Sequence, residues 1–232
     1  SGSAIVSATS DGTLRRTDVS DNTLDALGCV GEGDNAVCYG PGANAMGTNT
    51  TALGAYSTAD ATGATATGAG AIASGEQSVA VGQAAKALGN QSTALGAEAY
   101  ANGTGSIAVG GQSIADGTDA MAQGRSASSK GTDAIAVGSK AVADGTDVMA
   151  QGRSASSKGT DAIALGRQSI ADGTDVMAQG RSASAKGIDT VAIGSQSTTS
   201  GRNALAFGVQ SFADGTDVMA LGAGARATGS RA

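Results

Sequence analysis

The chain has 232 residues, of which 38 are Gly, one is Pro and none is His or Trp; aromatic residues make up 2%, and the net charge is −6. So few large side chains leave little with which to build a conventional three-dimensional core, so the interior must be made of small residues. Collagen, Pro-rich disorder, His-based catalysis and most zinc sites are set aside, and a net charge of −6 with no basic cluster expected argues against nucleic acid or an anionic membrane as the main partner.

Residues 1–32 carry turn signals at Asp11-Gly12 and Ser20-Asp21-Asn22, while AIVSA and TLRRTDV read as short strands. This stretch is expected to be an irregular lead-in or cap. The opening SGSAIVSATSDG lacks the charged-then-apolar order of a signal peptide. No apolar run approaches the roughly 18 residues of a membrane helix.

From Gly33 to Gly229 a Gly stands at every seventh residue except Ala61, giving 28 Gly at 29 lattice positions. A helix with that lattice would lose about 1 kcal/mol per Gly relative to Ala, on the order of 28 kcal/mol in all, which rejects a coiled coil. Instead each seven-residue half-unit reads as a short strand plus a tight turn, with Gly supplying left-handed backbone. Two half-units make one coil of a β-solenoid, so residues 33–232 form a rod of about fourteen coils, roughly 65 Å long at one strand spacing per coil.

Alternation within a strand assigns the faces. In the first strand of each coil, Ala66, Ala80, Ala94, Ala108 and their counterparts to Ala220 recur two residues before Gly, a restriction that only a cramped interior imposes. The residues flanking those alanines must point outward: Val79, Val81, Ile107, Val109, Met121, Gln123, Ile135, Val137, Met149, Gln151, Ile163, Leu165, Met177, Gln179, Leu205 and Phe207. Burying each apolar one is worth roughly 1.5–3 kcal/mol, and a stripe of that length marks an obligate interface, so a closed homo-oligomer with this strand inward is expected. Gln123, Gln151 and Gln179 interrupt the stripe as polar layers, which either fix register by hydrogen bonding or hold an anion.

The second strand of each coil presents a mixed outer row from Lys86 to Arg226. Within it Tyr100, Ile114, Val142, Ile170 and Phe212 form a possible ligand-facing strip. At the turn that follows, Asp116, Lys130, Asp144, Lys158, Asp172 and Lys186 alternate in sign, which suits in-register stacking. Asp119, Asp133, Asp147, Asp161 and Asp175 form an acidic row; calcium is one reading and a turn cap the other, and the fourteen-residue spacing with single Gly favours the cap. Cys29 and Cys38 fall on inward positions of facing strands in the first coil, so either a disulfide or two buried thiols is expected there. There is no Gly-Lys pair and no Ser-x-x-Lys, and neither catalysis nor a cofactor or metal is expected.

The units EQSVAVGQAAKALG, QSTALGAEAYANG and DTVAIGSQSTTSG resemble the head repeat of trimeric autotransporter adhesins of the YadA-like type, and the resemblance runs from about Gly33 to Gly229. It implies an all-β, left-handed parallel β-roll, a homotrimer, and a non-catalytic adhesin head that attaches to host extracellular matrix or cell surfaces as a virulence factor. It further implies display on a Gram-negative cell, held in the outer membrane by a C-terminal region outside this chain, with no direct membrane contact by the head. A spacer segment of the same fibre is the second reading. A left-handed β-helix acyltransferase is weakened by the absent His and the fourteen-residue coil, and an ice-binding solenoid by the shortage of Thr rows.

Overall fold

The computed structural model describes residues 33–231 in full and the backbone of Ala4–Ala8, Leu14–Asp18 and Cys29–Gly31. Ala4–Ala8 pairs antiparallel with Leu14–Asp18, which places strands where AIVSA and TLRRTDV were expected; the two turn signals lie outside the described residues. The rest of the described chain is one parallel β-solenoid. Every strand pairs with the strand fourteen residues on, as in Val79↔Thr93, Ala80↔Ala94 and Val81↔Leu95. The ladder reaches back to Cys29–Gly31, paired parallel with Ala43–Ala45, so it begins inside the expected lead-in.

Why the coil closes every seven residues is visible in its turns. The amide of Ser113 donates to the carbonyl of Gly110 at 3.2 Å, and that of Ser106 to Gly103 at 3.2 Å. The residue before each of these amides lies in the left-handed region, Gln112 at φ 59° and Gly105 at φ 67°, the conformation that the third position of such a turn requires. Sequence reasoning assigned this duty to the lattice glycines themselves. The structure bears this out at most of them, such as Gly82 at φ 134° and Gly110 at φ 125°, and adds a second positive-φ position two residues on, at Asn35, Gln77, Glu98, Asp133, Lys140 and Ser154 among others, all with φ between 50° and 60°.

The lattice glycine has a separate task. At Gly117 the backbone is not left-handed, yet a Cβ would overlap the carbonyl of Gly131 in the next coil. In the last coil, where no further coil is stacked, nothing lies within 4 Å of the Cβ position at Gly222 or Gly229. Close approach of stacked backbones therefore dictates Gly across the solenoid, and positive φ adds to the requirement at most lattice positions, though not at Gly75, Gly89, Gly103, Gly117 or Gly131.

Stacking so close leaves an interior about one methyl group deep. Ala80, Ala108, Ala136, Ala164 and Ala192 are fully buried, as are Ala87, Ala101, Ala115 and Ala143 on the facing strands. Where volume is added it is balanced. Buried Ser129 and Ser157 are each followed five residues on by Ala134 and Ala162, whereas Ala143 and Ala171 are followed by Val148 and Val176. The two hydroxyls donate to the carbonyls of Ala134 at 2.7 Å and Ala162 at 2.6 Å, so the polar option is also hydrogen-bonded. The exchange recurs every 28 residues, from Ser129 to Ser157 and from Ala143 to Ala171, so alternate coils differ in packing.

One element departs from the expected pair of short strands per coil. Ser156–Leu165, Ile170–Gln179 and Ser184–Ile193 are continuous ten-residue strands that run through the second turn. They bend at Gly159, Gly173 and Gly187, with φ of 113°, 150° and 121°. The fourteen-residue register continues unbroken through the bend.

Gly117→Ala should thus lose about 1–3 kcal/mol, the usual cost of overpacking. Gly111→Ala should stay within about 0.5 kcal/mol, because the nearest atom to its Cβ position is the Ala97 carbonyl oxygen at 3.7 Å. Thermal melts of the two variants compare them directly; equal losses would show that backbone approach is not what selects Gly.

Candidate functional site

With alanine filling the inside, both outer faces of the solenoid are built from the residues that alternate with it. On the first-strand face two columns stand side by side. One runs Ile107, Met121, Ile135, Met149, Ile163, Met177; the other runs Val109, Gln123, Val137, Gln151, Leu165, Gln179. Val79, Val81, Leu205 and Phe207 continue them at either end, so all sixteen residues singled out from the sequence share this face. Most are only half-buried in the single chain, and Phe207 is 53% exposed.

The three Gln are exposed and lie two coils apart, separated by Val137 and Leu165. Within the described residues none of their amides has a hydrogen-bond partner. An unpartnered amide in a stripe of Ile, Val and Met is tolerable in water and costly when covered, so any surface that covers it must bring a donor and an acceptor.

The second-strand face is less continuous. Tyr100 stacks in register on Ile114, but Val142 and Ile170 are each isolated between Ser128, Ser156 and Ser184. Ile114 and Ile170 are exposed, at 36% and 39%. Phe212 is taken up within the chain, since the Arg226 guanidinium sits over its ring, 4.6 Å from the centroid. The five residues share a face, and the structure brings only Tyr100 and Ile114 together.

At the turns, the alternating Asp144, Lys158, Asp172 and Lys186 stand in register, yet among the described residues none closes to an ion pair within 4 Å. Ties between coils are instead made by amides: Asn102 Nδ2 donates to Asp116 Oδ1 at 2.6 Å, and Asn203 Nδ2 to Asp217 Oδ1 at 2.7 Å. The acidic row from Asp119 to Asp189 occupies left-handed positions, with φ from 50° to 54°. Those Asp serve the turn through backbone conformation, which Asp tolerates, and not through the side-chain bond to their own backbone that was expected. Among the described residues no group of three His, Cys, Asp or Glu side chains is placed to hold a metal. Cys38 is disulfide-bonded.

One feature escaped the sequence reading altogether. Arg125, Lys140 and Arg153 line a shallow polar groove of about 210 Å³ together with Ser139, Ser154 and Gln168. They lie at the turn after the first strand in successive coils, and Arg167 and Arg181 continue the row. A basic cluster therefore exists, assembled by stacking from residues far apart in the chain. Tabulating the residues after each alternate lattice Gly would have found it.

A family model described as "YadA head domain repeat (2 copies)" matches the chain at residues 32–57, 45–71, 73–99, 101–127, 129–155, 157–183, 171–197, 185–211 and 200–225. No match was found among curated proteins.

Ile114→Ser and Ile170→Ser should each leave the melting transition within about 0.5 kcal/mol of the parent, because neither side chain is packed inside the coil. A larger loss would make this row structural and remove it from the candidate ligand strip.

Proposed function

This chain belongs to the YadA head family, non-enzymatic and surface-exposed adhesins of the autotransporter type, and from that premise we propose that it is the head of a homotrimeric adhesin. The observation that carries the proposal is the first-strand face. Its apolar columns extend along the stack while the interior behind them is already filled by alanine, so they have no place to go within one chain. Three copies facing a common axis bury both columns, and symmetry brings each Gln close to its own copies, where amides donate and accept in turn.

The outward second-strand face then remains for attachment to host extracellular matrix or a host cell surface, with the head displayed on a Gram-negative outer membrane. Tyr100 and Ile114 are the most favourable contact point on that face, being adjacent in register, with Lys86 beside Tyr100 in the preceding coil. The head should bind immobilised extracellular-matrix protein saturably, and Tyr100→Ser with Ile114→Ser should weaken that binding about tenfold or more while leaving assembly intact. A folded trimer that binds no matrix protein or host cell would favour the alternative, a spacer that holds an adhesive site elsewhere in the fibre.

Cys29 is assigned as the partner of Cys38, since the chain contains no third cysteine and both belong to the first coils of the ladder. Closing a loop of about ten residues is worth roughly 2–3 kcal/mol. Coils couple only to their neighbours, so reduction should expose the N-terminal coils to protease first and leave the remainder protected. A non-reducing denaturing gel should show single chains; covalent oligomers would assign the bond between subunits instead.

A further inference from the structure

The basic row has a counterpart on the opposite edge of the solenoid. Arg125, Lys140, Arg153, Arg167 and Arg181 stand at the turns after the first strand, all exposed, and no acidic residue shares those turns. Across the coil, the turns after the second strand carry Asp119, Asp133, Asp147, Asp161, Asp175 and Asp189, also exposed. Three lysines, Lys130, Lys158 and Lys186, share that edge with three further aspartates, Asp116, Asp144 and Asp172, so they cancel and the six left-handed Asp remain as its net charge. Among the described residues no member of either row has an ion-pair partner in its own chain. The two rows also occupy the same coils, whereas the coils before residue 116 carry few charges at their turns.

Cyclic symmetry says what this segregation is for. When parallel copies turn the first-strand face toward a common axis, that face has one edge at the basic turns and the other at the acidic turns. Going round the ring, the basic edge of each copy must neighbour the acidic edge of the next, because a closed ring repeats one heterologous contact. Rotation about an axis along the rod involves no rise, so turns at one level stay at that level. Arg153, half a coil from both Asp147 and Asp161 along the stack, is then level with the gap between those residues on the next copy. Each cation of the row falls in the same way between two aspartates, five cations against six anions.

We propose that these edges are the electrostatic seam of the assembly: the Arg/Lys row of one copy docks against the Asp row of its neighbour and sets axial register between chains. The inference rests on the assembly proposed above and adds the residues that zip it. The seam coincides with coils in which Gln123, Gln151 and Gln179 thin the apolar stripe, where register would otherwise be weakly specified. A uniform row that met the same opposite charges after a one-coil slip would not fix register; a row that terminates at both ends does, since each slip leaves one more cation facing a turn without aspartate, Gly103-Thr104-Gly105 at one end and Gly201-Arg202-Asn203 at the other.

The experiment is a charge-reversal cycle on the full chain. Arg153→Glu with Arg167→Glu should raise the concentration at which the assembly half-dissociates by about tenfold or more, with the β-sheet circular dichroism of the chain retained. Asp147→Lys with Asp161→Lys should do the same. Combining all four reversals should restore assembly to within about threefold of the parent, and raising salt should weaken the parent while sparing a control in which both rows are made neutral. Non-additivity of this kind reports direct contact between the rows and is not produced by general damage to folding. If the parent chain is a monomer, the oligomer reading itself fails. If the parent assembles but the reversals leave it unchanged, or if the quadruple variant is no better than the doubles, the seam is refuted. Unchanged assembly together with lost binding to a sulfated polysaccharide such as heparin would assign the basic row to an external polyanion.

Discussion

Everything in this molecule follows from how closely its coils stack. Backbones repeat in register every fourteen residues, and at the turns the approach is close enough that a Cβ on one Gly would strike the carbonyl of the next. That distance fixes Gly at the lattice, confines the interior to Ala, Ser, Thr and an occasional Val, and denies the core any large side chain. A solenoid built this way cannot hide its Ile, Leu, Met and Phe, so they stand outside, most of them on the first-strand face. The same constraint that makes the coil possible leaves the single chain with an uncovered apolar face.

The variation between coils is where the constraint is adjusted. Ser129 followed by Ala134, and Ala143 followed by Val148, exchange volume across the second turn without changing the coil. Met with Gln and Ile with Val alternate on the first-strand face in the same two-coil rhythm. Interior size, outer polarity and edge charge therefore change together along the rod, with the Arg/Lys row from Arg125 to Arg181 spanning the same stretch as the Gln layers. Repetition supplies the scaffold, and these departures supply its specificity.

Much of this was readable in the sequence because it rests on residue size. The Gly lattice, the alanine column and the outward Val79, Ile107 and Phe207 all follow from which positions tolerate only a small side chain. The left-handed residues were not readable in the same way. Asn35, Ala84, Glu98 and Lys140 share one backbone conformation but no chemistry, since the turn demands a dihedral that several side chains accept at modest cost. The basic groove was hidden for another reason: Arg125, Lys140 and Arg153 are separated by more than a dozen residues each and submerged in a net charge of −6, and only stacking makes them neighbours. The continuous strands through Gly159 and Gly173 likewise depend on dihedrals that the lattice of glycines does not encode.

Surface properties that look redundant in one chain acquire a role once the stack is taken as one part of a larger object. Columns of half-buried apolar residues, amides without partners and two edges of opposite charge all ask for the same neighbour, a second copy at the same level. Sedimentation equilibrium of the purified chain addresses that claim most directly. Its subunit mass is 21.9 kDa, and the account predicts a single species of three subunit masses that persists on dilution. A folded, stable species of one subunit mass would contradict it.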